Sequence, residues 1–118
     1  MYEYRAEMRR VVDGDTVDFL VDLGFTVHVH IRARIAGIDT PEVYGVKKGS
    51  EEYEKGAAAS AFTRLWFVDN CPDDMCVIRT QKTGKYGRWI ADIFGPDGEG
   101  QSLSQSLVEA GHATWVEY

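Results

Sequence analysis

Apolar and polar residues alternate with a period of two along the first third of the chain. Val27 to Ile35 reads Val-His-Val-His-Ile-Arg-Ala-Arg-Ile, which predicts a strand with one buried face and one polar face carrying His28, His30, Arg32 and Arg34. Before it, Val17, Phe19, Val21 and Leu23 alternate with Thr16, Asp18 and Asp22, predicting a second strand with a clear apolar face. Residues 5 to 12 read as a first strand of weaker alternation, broken by the Arg9-Arg10 pair. Asp13-Gly14 is a hairpin-turn signal and Gly24 turns the second strand into the third, so the first 36 residues are expected to form a three-stranded meander.

The period changes after Val43 to Gly49, a glycine- and lysine-bearing segment that reads as a surface loop. A helix is expected to begin between Ser50 and Gly56, with Ala58, Ala61, Phe62, Leu65 and Trp66 as its core stripe, and to end at Asn70-Cys71-Pro72-Asp73-Asp74. Two more strands follow, near Met75 to Thr80 and Trp89 to Phe94, joined by Gln81 to Arg88. Ser104 reads as the cap of a short last helix that buries Leu107 and Val108 and ends at Gly111. This order predicts a single domain over residues 1–118, mainly β with α: a five-stranded OB-type Greek-key barrel with one main helix and a short C-terminal helix. Such a barrel suits oligonucleotide binding, but a fold alone does not establish a function.

A chain of 118 residues, 44% apolar and 12% aromatic, can bury a real core and is not of disordered composition. The first ten residues lack an apolar leader stretch and nothing later approaches a membrane span, so the expectation is a cytoplasmic chain with no membrane partner. Cys71 and Cys76 fit no common zinc or redox spacing and are expected to be reduced, structural thiols. The net charge of −6 argues against broad neutralisation of nucleic-acid phosphates. Any phosphate contact must then be local, and Arg32, Arg34, Lys47, Lys48, Lys82, Lys85 and Arg88 cluster in or beside the segments that carry the chemistry.

That chemistry centres on Arg34-Ile35-Ala36-Gly37-Ile38-Asp39-Thr40-Pro41-Glu42. Gly37 permits a bend, and Pro41 biases Thr40 toward extended backbone and ends the ladder, so Asp39 and Glu42 are expected on a rigid strand exit. Asp-Thr-Pro-Glu also reads as a turn or a helix start, and Asp13-Gly14-Asp15-Thr16 as a simple hairpin. If Asp15, Asp39 and Glu42 converge, however, like charges about 4 Å apart repel by roughly 4 kcal/mol at an effective dielectric near 20. A hard divalent cation would compensate, since carboxylates with a backbone carbonyl are calcium-type or magnesium-type ligands. Lys85-Tyr86-Gly87-Arg88 adds a second arginine, suited to phosphate oxygens.

Together these segments, with Lys47-Lys48-Gly49, Ala59-Ser60-Ala61-Phe62-Thr63 and Leu107-Val108 before Gly111, resemble the staphylococcal nuclease (thermonuclease) family over nearly the whole chain. The resemblance implies a calcium-dependent phosphodiesterase acting on DNA and RNA with little sequence specificity. It implies that Asp15 and Asp39 bind Ca²⁺ through carboxylates and Thr40 through its carbonyl. Glu42 would orient or deprotonate the attacking water, and Arg34 and Arg88 would clamp the scissile phosphate. Lys85 and Tyr86 would contact a neighbouring phosphate, Lys48 the substrate from its loop, and Tyr118 would loosely match a base-stacking tyrosine. Secreted members of that family continue into a further helix and a basic tail, so a compact form is expected here, with weak binding of long duplex and a preference for single-stranded or frayed segments.

Two rival readings belong to other classes. One is a catalytically silent nuclease-like domain that binds nucleic acid or protein, although Asp15, Arg34, Asp39, Glu42 and Arg88 are all present. The other makes His28, His30 and His112 transition-metal ligands, against the simpler account of an exposed polar strand face.

Overall fold

Alternation in the first 36 residues becomes three antiparallel strands in the computed structural model, which describes residues 2–41, 49–83 (backbone alone at 81–83) and 88–116. They are β1 (Tyr2–Asp13), β2 (Thr16–Gly24) and β3 (Val27–Ile35), followed by a short β4 (Ile38–Asp39). Helix α1 (Glu51–Asn70) leads through a 3-10 turn at Pro72–Asp74 into β5 (Met75–Thr83), β6 (Trp89–Phe94), α2 (Leu103–Glu109) and β7 (Thr114–Trp115). The sheet closes in the order β1-β2-β3-β6-β5, with β3 and β6 parallel and β5 returning to β1. This is the expected five-stranded OB-type barrel, and closure leaves its main sheet without an open edge.

Along most of β2 and the end of β3 the inward residues are those the alternation marks, whereas Leu23 and Val27 beside the β2–β3 turn are exposed and Val29 and Ile31 are half-buried. Val17, Phe19 and Val21 of β2 and Ala33 and Ile35 of β3 are fully buried, and Ile78 and Ile93 meet them from β5 and β6. Phe67 of α1 caps this interior, its ring edge-on to Phe19 at 6.1 Å and to Trp66 at 5.3 Å. The indole of Trp66 donates to Ser106 Oγ at 3.2 Å and so ties α1 to α2. Both cysteines are free and buried, as expected of structural thiols. Among the described residues, no helix is long and apolar enough to cross a membrane.

Three details depart from the sequence reading, and a fourth explains a break it noted. The first is the face of α1. Its buried residues are Gly56, Ala59, Ser60, Thr63, Trp66 and Phe67, whereas Ala58, Ala61 and Leu65 of the expected stripe are exposed and Phe62 is half-buried. The physical reason is close approach: a Cβ on Gly14 would lie 2.9 Å from the Ala59 Cβ, and Thr63 Oγ1 donates to the Gly14 carbonyl at 2.9 Å. A helix docked that tightly on a backbone turn needs small and hydroxylated residues at the contact, and counting apolar positions selects the wrong side.

Second, α2 is capped by Ser102, whose Oγ accepts from the Gln105 amide at 3.2 Å. Ser104 is instead buried and donates to Asp92 Oδ1 at 3.3 Å, and Val108 is half-buried rather than buried. Third, the β2–β3 turn includes Phe25 and Thr26, both at positive φ, beyond Gly24 itself. Fourth, the β1–β2 register shifts between Met8 and Arg10, a bulge that leaves both Arg9 and Arg10 exposed and explains the broken alternation there.

The helix assignment has measurable consequences. Phe67→Ala should cost about 3–5 kcal/mol in urea unfolding, and Leu65→Ala should stay within about 0.5 kcal/mol; the reverse order would restore the expected stripe. Gly14→Ala should cost about 1–3 kcal/mol through overpacking against Ala59 and Thr40, and an unchanged urea midpoint would show that the turn is not pressed on the helix.

Candidate functional site

The site begins at the β1–β2 turn. Asp13 Oδ1 accepts from the Asp15 amide at 3.2 Å, a local turn bond that fixes where the next carboxylate points. Asp15 is only 6% exposed. Its Oδ1 accepts from Thr16 Oγ1 at 3.2 Å, while its Oδ2 accepts from Arg34 Nη1 at 2.7 Å and from the Thr40 amide at 3.3 Å. The backbone repeats the connection, because the Ile35 amide donates to the Asp15 carbonyl at 2.8 Å.

Arg34 ends β3 on the outer face, as its alternation requires. Gly37 at φ 76° makes the bend after it, and β4 then pairs with β7, Ile38 opposite Trp115 and Asp39 opposite Thr114. Ile38 is fully buried and anchors this two-residue strand. The side chain of Asp39 keeps 58% of its exposure. Arg34 Nη2 donates to the Ile38 carbonyl at 3.0 Å and to Asp39 Oδ1. One guanidinium thus touches both carboxylates, which brings Asp15 and Asp39 to the same place from positions 24 residues apart in sequence.

Arg88, just before β6, lines the same cleft with Asp13, Asp15, Thr16, Arg34, Asp39, Thr40 and Pro41, around a volume of about 510 Å³. Three aspartates and two arginines therefore share it. Burial pushes the Asp13 carboxyl up to about 6, helped by its hydrogen bond to Asp15 and by that neighbour's charge. Burial also works against the Asp15 carboxylate, yet its hydrogen bond with Asp13 and the charge and donors of Arg34 hold it below the ordinary carboxylate value. Of the two carboxyls, Asp13 is thus the one that holds a proton more readily.

Of the residues singled out from sequence, Asp15, Arg34, Asp39, Thr40 and Arg88 come together here. Glu42, Lys48, Lys85, Tyr86 and Tyr118 lie outside the described residues. Among the described residues, no group of three His, Cys, Asp or Glu side chains converges as a metal cage. His28 and His30 stand on the exposed face of β3, while the His112 ring packs against Phe62 at 5.0 Å, so the three histidines serve different surroundings. Arg34 brings positive charge to both Asp15 and Asp39. Asp13 and Thr16 are the site residues that sequence reasoning passed over; the signal was present as Asp-x-Asp-Thr, and it was absorbed by the turn reading of Asp13-Gly14.

Residues 32–118 match the family described as Staphylococcal nuclease homologue. The chain is 30% identical over 92 residues to "Protein ParB" of Escherichia coli, covering 78% of this chain and 42% of that one. It is 28% identical over 94 residues to "Micrococcal nuclease" of Shigella flexneri, covering 80% of this chain and 44% of that one. The chain thus spans less than half the length of these curated relatives. The matched segment runs through Arg34, Asp39, Thr40 and Arg88 and takes in β4, α1, β5, β6 and α2, and the chain belongs to the staphylococcal nuclease homologue family.

Proposed function

We propose that this domain is a calcium-dependent nuclease, hydrolysing phosphodiester bonds of DNA and RNA with little sequence preference. One observation carries the reading: Asp15, Arg34, Asp39 and Arg88, brought by four separate segments, line a single open cleft. Oxygen donors and guanidinium donors in one concavity are what a phosphodiester and a hard cation need together.

The donor set fits calcium in kind. The carboxylates of Asp15 and Asp39 and the carbonyl of Thr40 are hard oxygen ligands, with no competing thiolate or imidazole among the described lining residues. These three groups would hold the ion, which when bound supplies charge neutralisation at the phosphate and polarises water.

The chain's own residues do the rest. Arg34 holds Asp15 in a nearly buried pair, with side-chain exposures of 16% and 9%, and holds Asp39 at an exposed one. The exposed Asp39 carboxylate can therefore swing off Nη2 and leave that donor to an arriving phosphate oxygen, while Asp15 and the Ile38 carbonyl keep the rigid guanidinium in place. Arg88 donates from elsewhere in the cleft, and paired guanidinium donors aimed at the extra negative charge of the transition state are a large catalytic term. Glu42, three residues past Asp39 in sequence, is the proposed base for the attacking water. Lys85 and Tyr86 are proposed to contact a neighbouring phosphate, Lys48 the substrate from its loop, and Tyr118 to stack on a base, a contact that tolerates any sequence. Contacts confined to the phosphate carry no base information, which is why little sequence preference follows.

Saturating Ca²⁺ should raise the melting temperature, with about 2.7 kcal/mol expected at a hundredfold excess over the dissociation constant. Asp15→Ala/Asp39→Ala should abolish that shift when each variant is compared with and without the ion; an equal shift would remove the metal site. Single-stranded and duplex DNA and RNA should be cleaved in Ca²⁺ and not in EGTA, and binding without cleavage would favour the silent module instead. Arg88→Ala should lower turnover by about 10²–10³-fold at unchanged melting temperature, and near-normal turnover would refute its role.

A further inference from the structure

The pair of arginines that breaks the alternation of β1 lies beside a second concavity, on the outer face of the barrel, with a volume of about 340 Å³. Its walls include Arg9, Arg10 and Arg32 with His30, against the single acid Asp18. The strand register sets the row: Arg10 opposes Asp18 on β2, and Asp18 opposes Arg32 on β3. Arg32 binds Asp18 in a fork, Nε to Oδ1 at 2.7 Å and Nη2 to Oδ2 at 3.2 Å. Glu7 meets Arg9 at 3.0 Å in an exposed pair, which is worth little in water. Ordinary alternation would turn one of two successive arginines inward, and the bulge between Met8 and Arg10 presents both. Three arginines facing one aspartate form a basic tract on a chain whose net charge is −6.

This tract adjoins the cleft, since Thr16 pairs with Arg34 and Asp18 with Arg32 along the same two strands. Arg32 and Arg34 share the outer face of β3 two residues apart, a step of about 6.6 Å, and β1 lies two strands away, about 10 Å across the sheet. We infer that the tract formed by Arg9, Arg10 and Arg32 holds the backbone of a single-stranded polynucleotide where it leaves the cleft, one or two phosphates beyond the one at Arg34. Steps of about 6.6 Å and 10 Å suit a flexible single strand, which can set successive phosphates on the curved barrel wall without the elastic cost of bending a duplex. The inference rests on the proposed nuclease reading and extends the contacts from the nucleotide in the cleft to a further stretch of the strand on the barrel wall.

Binding of fluorescein-labelled oligothymidylates of two and nine nucleotides, read by anisotropy in EGTA, tests it. The wild-type domain should bind the nine-mer at least about tenfold more tightly than the two-mer, and Arg9→Ala/Arg10→Ala should shrink that advantage below about threefold. The same variant should lower the slope of log Kd against log salt by about 1.4, the value for two lost phosphate contacts on a single strand. Arg9→Lys/Arg10→Lys should keep most of the affinity, and Asp18→Asn should tighten binding by removing the groove's one acid. An alanine pair that retains the length dependence, a lysine pair as weak as the alanine pair, an Asp18→Asn variant that binds no tighter, or competition by polyglutamate equal to that by oligonucleotide would each overturn the inference. The readout is binding, so a domain that shows these effects yet cleaves nothing in Ca²⁺ loses the catalytic reading and keeps the tract; cleavage without length dependence does the opposite.

Discussion

Asp15 is a carboxylate withdrawn to 6% exposure, and a charge taken that far from water has to be met by donors held in place by the fold. They come from three directions: Thr16 beside it on β2, Arg34 at the end of β3, and the Thr40 amide just past β4. Removing one partner of a buried pair of this kind typically costs about 3–5 kcal/mol, because the other charge is left stranded. The position of the β1–β2 turn and the path of the chain after Gly37 are therefore coupled through one side chain. Arg34 does this coupling while also reaching Asp39, so the group that organises the cleft is one of the two proposed to meet a phosphate there.

The same turn is held from behind by α1. Gly14 lets the backbone pass within van der Waals contact of Ala59 and Thr40, and Thr63 satisfies the turn's carbonyl. Packing against small residues leaves little room for the turn to shift, so Asp13 and Asp15 are mounted on a stiff support. A stiff mount matters for a site that must present opposed carboxyls and guanidinium groups at fixed separations. The helix contributes no charged group to the lining of the cleft among the described residues; its contribution is to hold the strand turn from the other side.

The proposed polyanionic substrate requires an acidic domain to concentrate its positive charge. Arg34 and Arg88 do so in the cleft, and Arg9, Arg10 and Arg32 do so on the adjoining barrel wall. The rest of the surface keeps the negative balance that disfavours indiscriminate binding. Local bulging of β1 and the strict alternation of β3 achieve this with ordinary sheet geometry.

Much of the barrel was legible in the residues themselves, because period-two alternation is imposed locally by the pleat and is visible wherever one strand face is buried. The meander, the existence of α1 and the order of the later strands followed from it, and the Asp15, Arg34, Asp39 and Arg88 set was recognisable because its spacing is carried by that same framework. What the chain alone did not determine were contacts between segments distant in sequence. Which face of α1 is buried depends on how near Gly14 comes, and a run of Gly56, Ala59, Ser60 and Thr63 announces nothing until a turn is pressed against it. The β4–β7 pairing joins two residues to two others some 76 positions away, too short for any periodicity to register. That one guanidinium, Arg34, reaches both Asp15 and Asp39 is likewise a matter of tertiary placement: a sequence can show that charges of opposite sign exist, but their pairing depends on distances that only the closed barrel sets.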